Sequence, residues 1–168
     1  MPLIAGCRNT VELKSFSLTV QYVADHADPA NLPARSQFRR WVKSAIERQI
    51  EITIRIVNGT EGRALNHDYR GKDYATNVLT FVYDEADLLS ADIVLCAEVV
   101  EQEAQRQRKA LLAHYAHLTV HGVLHAQGYD HVEDDEAVIM ERKEIAILAR
   151  LGFDNPYAED GSAGITHA

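Results

Sequence analysis

The sequence predicts an α/β fold of the α+β kind: a single layered domain in which a mixed sheet of about four strands packs with about five helices. Four short segments are apolar runs or alternate apolar with polar residues, and longer segments between and after them have helical periodicity. The chain has 168 residues, of which 46% are hydrophobic and 25% charged, as is typical of one globular domain.

Each element is justified by its own pattern. EITIRIV at 51–57 alternates cleanly and is the clearest strand, whereas Phe38, Trp41 and Val42 recur at the spacing of one helix face. Gly128 can end the long apolar helix before it by adopting a left-handed conformation. The predicted elements are a strand at 15–22, a helix at 33–46, a strand at 51–57, a short helix at 61–69, strands at 77–83 and 91–97 joined by a polar loop at 84–90, and helices at 98–109, 110–127 and 134–151.

The domain is expected to span residues 1–152, and 153–168 to form a polar, flexible C-terminal tail. The sequence contains no run of eighteen apolar residues, so no membrane span is expected. The N-terminal MPLIAGC lacks the charged and apolar regions of a signal peptide. Cys7 and Cys96 are too few and too distant for a disulfide scaffold, so a reducing cytoplasm is expected, with Cys96 as a buried free thiol.

The net charge of −8 argues against broad, non-specific binding to nucleic acid, because such proteins usually carry a basic field. A local basic groove is still compatible with it. Cations cluster in three places, each of which could equally be a solvated helix face. The clusters are Arg39, Arg40 and Lys43; Arg63, Arg70 and Lys72; and Arg106, Arg108 and Lys109.

The histidines are concentrated in HLTVHGVLHAQGYDH, residues 117–131. Residues four apart in a helix lie on one face, so His121 and His125 point the same way. Gly128 then breaks the helix and the chain returns His131 towards them. This HxxxHxxGxxH pattern predicts one metal ion held by three imidazoles on the penultimate helix and the following loop.

Three neutral imidazoles favour zinc, one ion per chain, with nickel, copper or iron possible on chemical grounds. Three protein ligands leave a fourth position for water, whose pKa the metal can lower to about 7, as in catalytic sites. The alternative is that the histidines are packed and hydrogen-bonded in the core. His114 and His117 lie near the same face, and a supporting, substrate-facing or packed role is expected for both.

The same spacing occurs in metzincin proteases, in which the residue after the first histidine is the glutamate base. Here that residue is Gly122, which counts against proteolysis. Asp130 or an acid at 133–136 is a candidate general base instead.

The sequence resembles the YbeY-type endoribonucleases, or rRNA maturation factors, in three motifs. HGVLHAQGYDH is similar to the family's zinc-binding signature, and LNHDYRGKDYATNVLTF and ADIVLCAEVV are similar to two further family blocks. The resemblance implies that His121, His125 and His131 bind zinc. It also assigns the family's essential arginine to Arg70, whose planar fork suits phosphate. For Arg70 to act, the turn at 70–76 must fold back beside the metal, so the strand at 77–83 is expected at the edge of the sheet under the metal-binding helix. Asn77 stands where the family commonly has an aspartate.

The resemblance implies a zinc-dependent endoribonuclease of the bacterial cytoplasm that is specific for single-stranded RNA. It would mature ribosomal RNA, notably the 3′ end of the 16S small-subunit RNA, act in ribosome quality control, and have ribosomal protein and an assembly GTPase as partners. Two alternatives remain open at this point: a metallopeptidase or amidohydrolase, and a non-catalytic ribosome-assembly factor with a structural metal. An ion pair to a nearby acid is the alternative role for Arg70.

Overall fold

The structure is a computed structural model that describes residues 15–23, 28–85 and 88–158. Its centre is a mixed four-stranded sheet in the order β1-β2-β4-β3. Strands β1, β2 and β4 are parallel, and β3 is antiparallel to β4 at the edge of the sheet. The strands are β1 Phe16–Tyr22, β2 Ile50–Val57, β3 Val78–Glu85 and β4 Leu88–Cys96.

Within the described residues, five α-helices surround this sheet, as the sequence predicted. The helices are α1 Arg35–Ala45, α2 Gly59–Arg70, α3 Ala97–Arg106, α4 Leu111–Ala126 and α5 Asp134–Arg150. A short 3-10 helix, Pro29–Asn31, precedes α1. None of the helices within the described ranges is long and apolar enough to span a bilayer.

The two faces of the sheet are covered by different helices. A Cβ added at Gly122 of α4 would lie 3.0 Å from Ile93 Cγ2, whereas one added at Gly62 of α2 would lie 3.2 Å from Cys96 Sγ. Successive side chains of a strand point to opposite faces, so Ile93 and Cys96, three residues apart on β4, face opposite ways. Helices α4 and α2 therefore pack on opposite faces of the sheet.

The larger core lies on the α4 face. Isoleucines 50, 52, 54 and 56 of β2, which occupy alternate positions, are all buried there together with α1, α4 and α5. Phe38, Trp41 and Tyr115 pack edge to face within this core. The smaller core on the α2 face contains Cys96, whose thiol is buried as expected and whose pKa is raised by that burial.

The polar segment at 84–90 was predicted to be a loop, and this was wrong. Residues 84 and 85 continue β3, and residues 88–90 begin β4, with Asp84 opposite Leu89. Cross-strand hydrogen bonds extend the hairpin into residues whose composition alone indicates a turn.

The segment after α5 is packed at its beginning. Phe153 contacts Trp41 with ring centroids 6.2 Å apart, and Lys109 Nζ donates a hydrogen bond of 2.7 Å to the carbonyl of Pro156. Residues 153–158 therefore adjoin the domain. The rest of the expected tail, 159–168, lies outside the described residues, as do Cys7 and the N-terminal segment to residue 14.

Candidate metal centre

Helix α4 and the turn after it bring the three predicted ligands together. The ring centroids of His121 and His125 are 6.4 Å apart with nearly parallel planes, and that of His131 lies 5.5 and 6.2 Å from them. The three imidazoles thus form a triangle at one end of α4.

The turn that returns His131 depends on one glycine. Gly128 has a φ of +104°, which side chains disfavour, and its N–H donates to the carbonyl of His125. The N–H of Tyr129 closes the helix on the carbonyl of Leu124. Gly128 therefore ends α4 in the way the sequence predicted, and the following residues reverse direction.

Both helical histidines have one ring nitrogen occupied. His121 Nδ1 lies 2.5 Å from Glu144 Oε1, and His125 Nδ1 lies 2.9 Å from the carbonyl oxygen of Tyr129. An ionised carboxylate and a carbonyl only accept hydrogen bonds, so both Nδ1 atoms carry the proton. The lone pair of each ring is then on Nε2, which is the arrangement of histidines that bind a metal through Nε2.

The imidazole centroids lie farther apart than they do around a bound zinc ion. Zinc–nitrogen bonds of about 2.0–2.1 Å with tetrahedral angles place imidazole centroids about 5 Å apart. The rings would have to approach each other by about 1 Å, and within the described residues no group of three or more His, Cys, Asp or Glu side chains is arranged tightly enough to hold an ion. Closing the 6.4 Å between His121 and His125 would need their side chains to rotate on α4, and His131, whose side chain is 60% exposed, could move towards both. The donor set and the tautomers fit a metal, and the spacing fits it after this closure.

Glu144 on α5 is a site residue that the sequence reasoning missed. Its side chain is fully buried, and Oε2 lies 3.4 Å from His117 Nε2 and accepts a hydrogen bond from the hydroxyl of Tyr157. Burial alone would raise the pKa of Glu144, but the bonds to His117 and His121 outweigh it and lower the pKa. Its carboxylate is therefore ionised and orients His121.

A signal for Glu144 does exist in the sequence. Met140, Glu144, Ile147 and Leu148 are the buried residues of α5, and their spacing is that of one apolar helix stripe. A glutamate within such a stripe needs buried partners. Its partners, however, lie on α4 and beyond the end of α5, so spacing could not identify them.

The other two histidines of α4 are packed. His117 Nε2 faces Glu144 and lies 3.2 Å from the Tyr157 hydroxyl, and burial lowers the pKa of His117. His114 is 3% exposed, with Nε2 3.8 Å from Glu103 Oε2, which is too long for a hydrogen bond. The Nε2 atom of His117 is thus engaged by Glu144 and Tyr157, whereas its Nδ1 is buried without a hydrogen-bond partner among the described residues.

Two residues considered as catalytic groups lie in different surroundings. Asp130 is next to His131, whose backbone N–H donates to Asp130 Oδ1 at 2.7 Å. Arg70 is the last residue of α2, on the sheet face opposite α4, and is exposed with no ion pair within the described part of the chain. Its neighbour Tyr69 packs on Phe81 of β3 with ring centroids 4.5 Å apart. Arg70 and the three imidazoles therefore lie on opposite faces of the sheet.

Comparison with known proteins identifies the family. A family profile described as Endoribonuclease YbeY matches residues 23–152. The chain belongs to the YbeY endoribonuclease family. A relative from Nitrosomonas europaea, named Endoribonuclease YbeY, is 59% identical over 140 residues, which are 83% of this chain and 84% of the relative. One of the same name from Cupriavidus pinatubonensis is 59% identical over 161 residues, 95% of this chain and 80% of the relative.

A solved structure agrees with the fold. The solution structure of TM1509 from Thermotoga maritima matches with a TM-score of 0.50 at 20% identity, covering 84% of this chain and 100% of that chain. The YbeY profile ends at residue 152, so the contacts made by residues 153–158 lie beyond the matched region.

Proposed function

We propose that the chain is a metal-dependent endoribonuclease that cleaves single-stranded RNA and holds one ion, with zinc as the preferred metal, through His121, His125 and His131. The observation that carries the proposal is the hydrogen bonding of both Nδ1 atoms on α4, to Glu144 and to the Tyr129 carbonyl, which leaves Nε2 as the free ligand nitrogen. The family relatives named Endoribonuclease YbeY support RNA as the substrate.

The residues of the chain have separate tasks in this mechanism. His121 and His125 would hold the ion from one face of α4, and His131 from the turn after Gly128. A bound divalent ion would supply a Lewis acid for the phosphate and an activated water. Asp130, next to His131, is a candidate for accepting the proton of that water. Arg70 would bind a phosphate oxygen from around the edge of β3 and offset negative charge during hydrolysis.

The remaining parts of the proposal follow from the family resemblance. The substrate would be ribosomal RNA, notably the 3′ end of the 16S small-subunit RNA, and the setting the bacterial cytoplasm. Small-subunit ribosomal proteins and an assembly GTPase would be the partners. The negative overall charge supports recognition through few phosphate contacts.

The structure argues against the two rival functions. A glutamate base next to His121 would occupy position 122, whose Cβ direction faces Ile93 in the core and not the imidazoles. A purely structural metal would need a fourth protein ligand, and His117, the candidate one turn before His121, has its Nε2 directed to Glu144 and Tyr157.

The decisive functional assay compares the wild-type protein with His121→Ala on single-stranded RNA, the same RNA in a duplex, and a peptide substrate. His67→Ala is the matched control, because His67 is an exposed histidine on α2 with a side chain 63% accessible. We expect cleavage of single-stranded RNA only, lost in His121→Ala and unchanged in His67→Ala. Metal-dependent peptide cleavage, or full RNA cleavage by a folded His121→Ala protein, would contradict the proposal.

A further inference from the structure

The buried carboxylate of Glu144 joins the C-terminal segment to the candidate metal centre. One oxygen, Oε1, accepts from His121 Nδ1 at 2.5 Å. The other, Oε2, accepts from the hydroxyl of Tyr157 and lies 3.4 Å from His117 Nε2. A carboxylate without solvent needs all of these donors, because an uncompensated buried charge is strongly destabilising.

Tyr157 is held in this position by contacts on several sides. Its ring meets that of His117 edge to face with centroids 5.1 Å apart, and its N–H donates to Asn155 Oδ1 at 2.8 Å. The carbonyl of Pro156, the residue before Tyr157, accepts a hydrogen bond from Lys109 Nζ. Burial and the neighbouring Glu144 raise the pKa of Tyr157, so its hydroxyl keeps the proton that it donates.

From these contacts we propose that Tyr157 is a positioning residue for the metal ligand His121, acting through Glu144. The inference rests on the proposed function, and it concerns a residue beyond the region that the family profile matches. The hydroxyl fixes the Oε2 side of the carboxylate, which leaves Oε1 aimed at His121 Nδ1. The imidazole is thereby kept in one tautomer and one orientation, with Nε2 free for the ion.

Removing the Tyr157 hydroxyl should weaken metal binding. Partners that orient a metal-binding histidine typically contribute about 10- to 100-fold to metal affinity. Tyr157 acts at one remove from His121, so an effect of about 10-fold, at the lower end, is expected for its loss. The ring itself should stay in place against His117, because Tyr157→Phe preserves its shape.

The test measures zinc affinity by chelator competition in the full-length wild-type protein and in Tyr157→Phe. Tyr115→Phe is the matched control, since Tyr115 is a fully buried tyrosine on α4 whose hydroxyl has no partner among the described residues. We expect about 10-fold weaker zinc binding in Tyr157→Phe and no change in Tyr115→Phe. Equal zinc affinity in Tyr157→Phe and wild type would overturn the proposal.

A second measurement separates this inference from the proposed function. In the metal-free protein at a fixed neutral pH, long-range ¹H–¹⁵N spectra of the histidine rings report which nitrogen carries the proton. We expect His121 to be protonated at Nδ1 in the wild type and to become a mixture of tautomers in Tyr157→Phe. An unchanged His121 spectrum would overturn the positioning role, whether or not the protein binds zinc.

A third variant covers the possibility that Tyr157→Phe does not fold. Lys109→Met keeps the tyrosine hydroxyl but removes the hydrogen bond to Pro156 that anchors the segment. We expect the same direction of change in zinc affinity and in the His121 spectrum. If Lys109→Met alters neither of them, the segment does not position His121 through this anchor, and the proposal fails.

Discussion

Asn77 links the start of β3 to a partly buried carboxylate on α3. Its amide Nδ2 donates to Glu103 Oε2 at 3.1 Å, and its Oδ1 accepts from the N–H of Val78 at 2.6 Å. Burial would raise the pKa of Glu103, but His114, the Asn77 amide and Arg106 lower it overall. An ionised aspartate at this position could not donate this bond.

Asn77→Asp should therefore destabilise the protein at neutral pH by about 1–3 kcal/mol, because two carboxylates would replace a hydrogen bond. The repulsion raises the folded-state pKa of the new carboxyl group above its unfolded value. The loss of stability is then fully present above the raised folded-state pKa, and it disappears as the pH falls below the unfolded value, near ~4. Urea unfolding at several pH values measures this.

Asn77→Ser is the control for the Asn77→Asp prediction. It removes the amide donor without adding a charge, so its deficit should depend less on pH. An Asn77→Asp protein as stable as the wild type at neutral pH, or with a deficit that persists unchanged in acid, would contradict the role given to Asn77.

The position of Arg70 in the structure differs from the position that the sequence predicted. The sequence predicted that β3 would lie at the sheet edge under α4, and this is confirmed. It also required Arg70 to lie beside the metal, whereas α2 carries it on the opposite face. Spacing and motif resemblance identify residue types, but the side of the sheet on which a helix packs is decided by the tertiary fold.

If Arg70 reaches the phosphate around β3, Arg70→Ala should lower kcat/KM on single-stranded RNA by about 10²–10³-fold and leave metal content unchanged. Arg70→Lys should restore activity only in part, because an ammonium lacks the bidentate fork. Arg63→Ala is the control, since Arg63 of the same helix is paired with Asp73 at 2.8 Å. Full activity in Arg70→Ala would remove Arg70 from the mechanism.

At the scale of elements, the sequence predicted all four strands and all five α-helices to within a few residues. The periodic patterns of β2, α1 and α4 made this possible because each buries a continuous apolar face. The β3–β4 hairpin was predicted too short because cross-strand pairing, which sequence patterns do not report, stabilises its polar ends.

Helix α4 approaches the sheet closely at Gly122, and this contact predicts a packing defect. Gly122→Ala should lower the free energy of unfolding by about 1–3 kcal/mol, because the new Cβ would overlap the side chain of Ile93. Adding Ile93→Val, which removes the Cδ1 atom 3.2 Å from that Cβ, should recover part of the loss. Thermal or urea unfolding of the two single variants and the double variant measures the coupling. Strictly additive effects would show that the close approach is not the cause.

At the scale of the whole molecule, the charge is unevenly distributed. Helix α1 carries Arg35, Arg39, Arg40 and Lys43 with no acid, whereas α5 begins with three acidic residues. The end of α1 adjoins the turn after α4, because Gln127 Nε2 donates to the carbonyl of Ala45 at 2.9 Å. This places a basic helix next to the turn that carries His131.

Replacing Arg39, Arg40 and Lys43 with glutamine should therefore weaken binding of single-stranded RNA. The affinity should also become less dependent on salt, with the slope of log K against log[salt] falling by about 0.7 for each phosphate that the protein no longer neutralises. Fluorescence anisotropy over a salt series measures this, and zinc content serves as the control. An unchanged slope would show that RNA does not bind to this face.

The central claim is that three histidines from α4 and its following turn hold one ion. Elemental analysis of the purified wild-type protein, His125→Ala, His131→Ala and His114→Ala tests it most directly. His114→Ala is the control, because His114 lies on the same helix and is packed near Glu103. The account predicts one zinc per chain in the wild type and in His114→Ala, and little or none in the other two variants. Undiminished metal in folded His125→Ala or His131→Ala would contradict it.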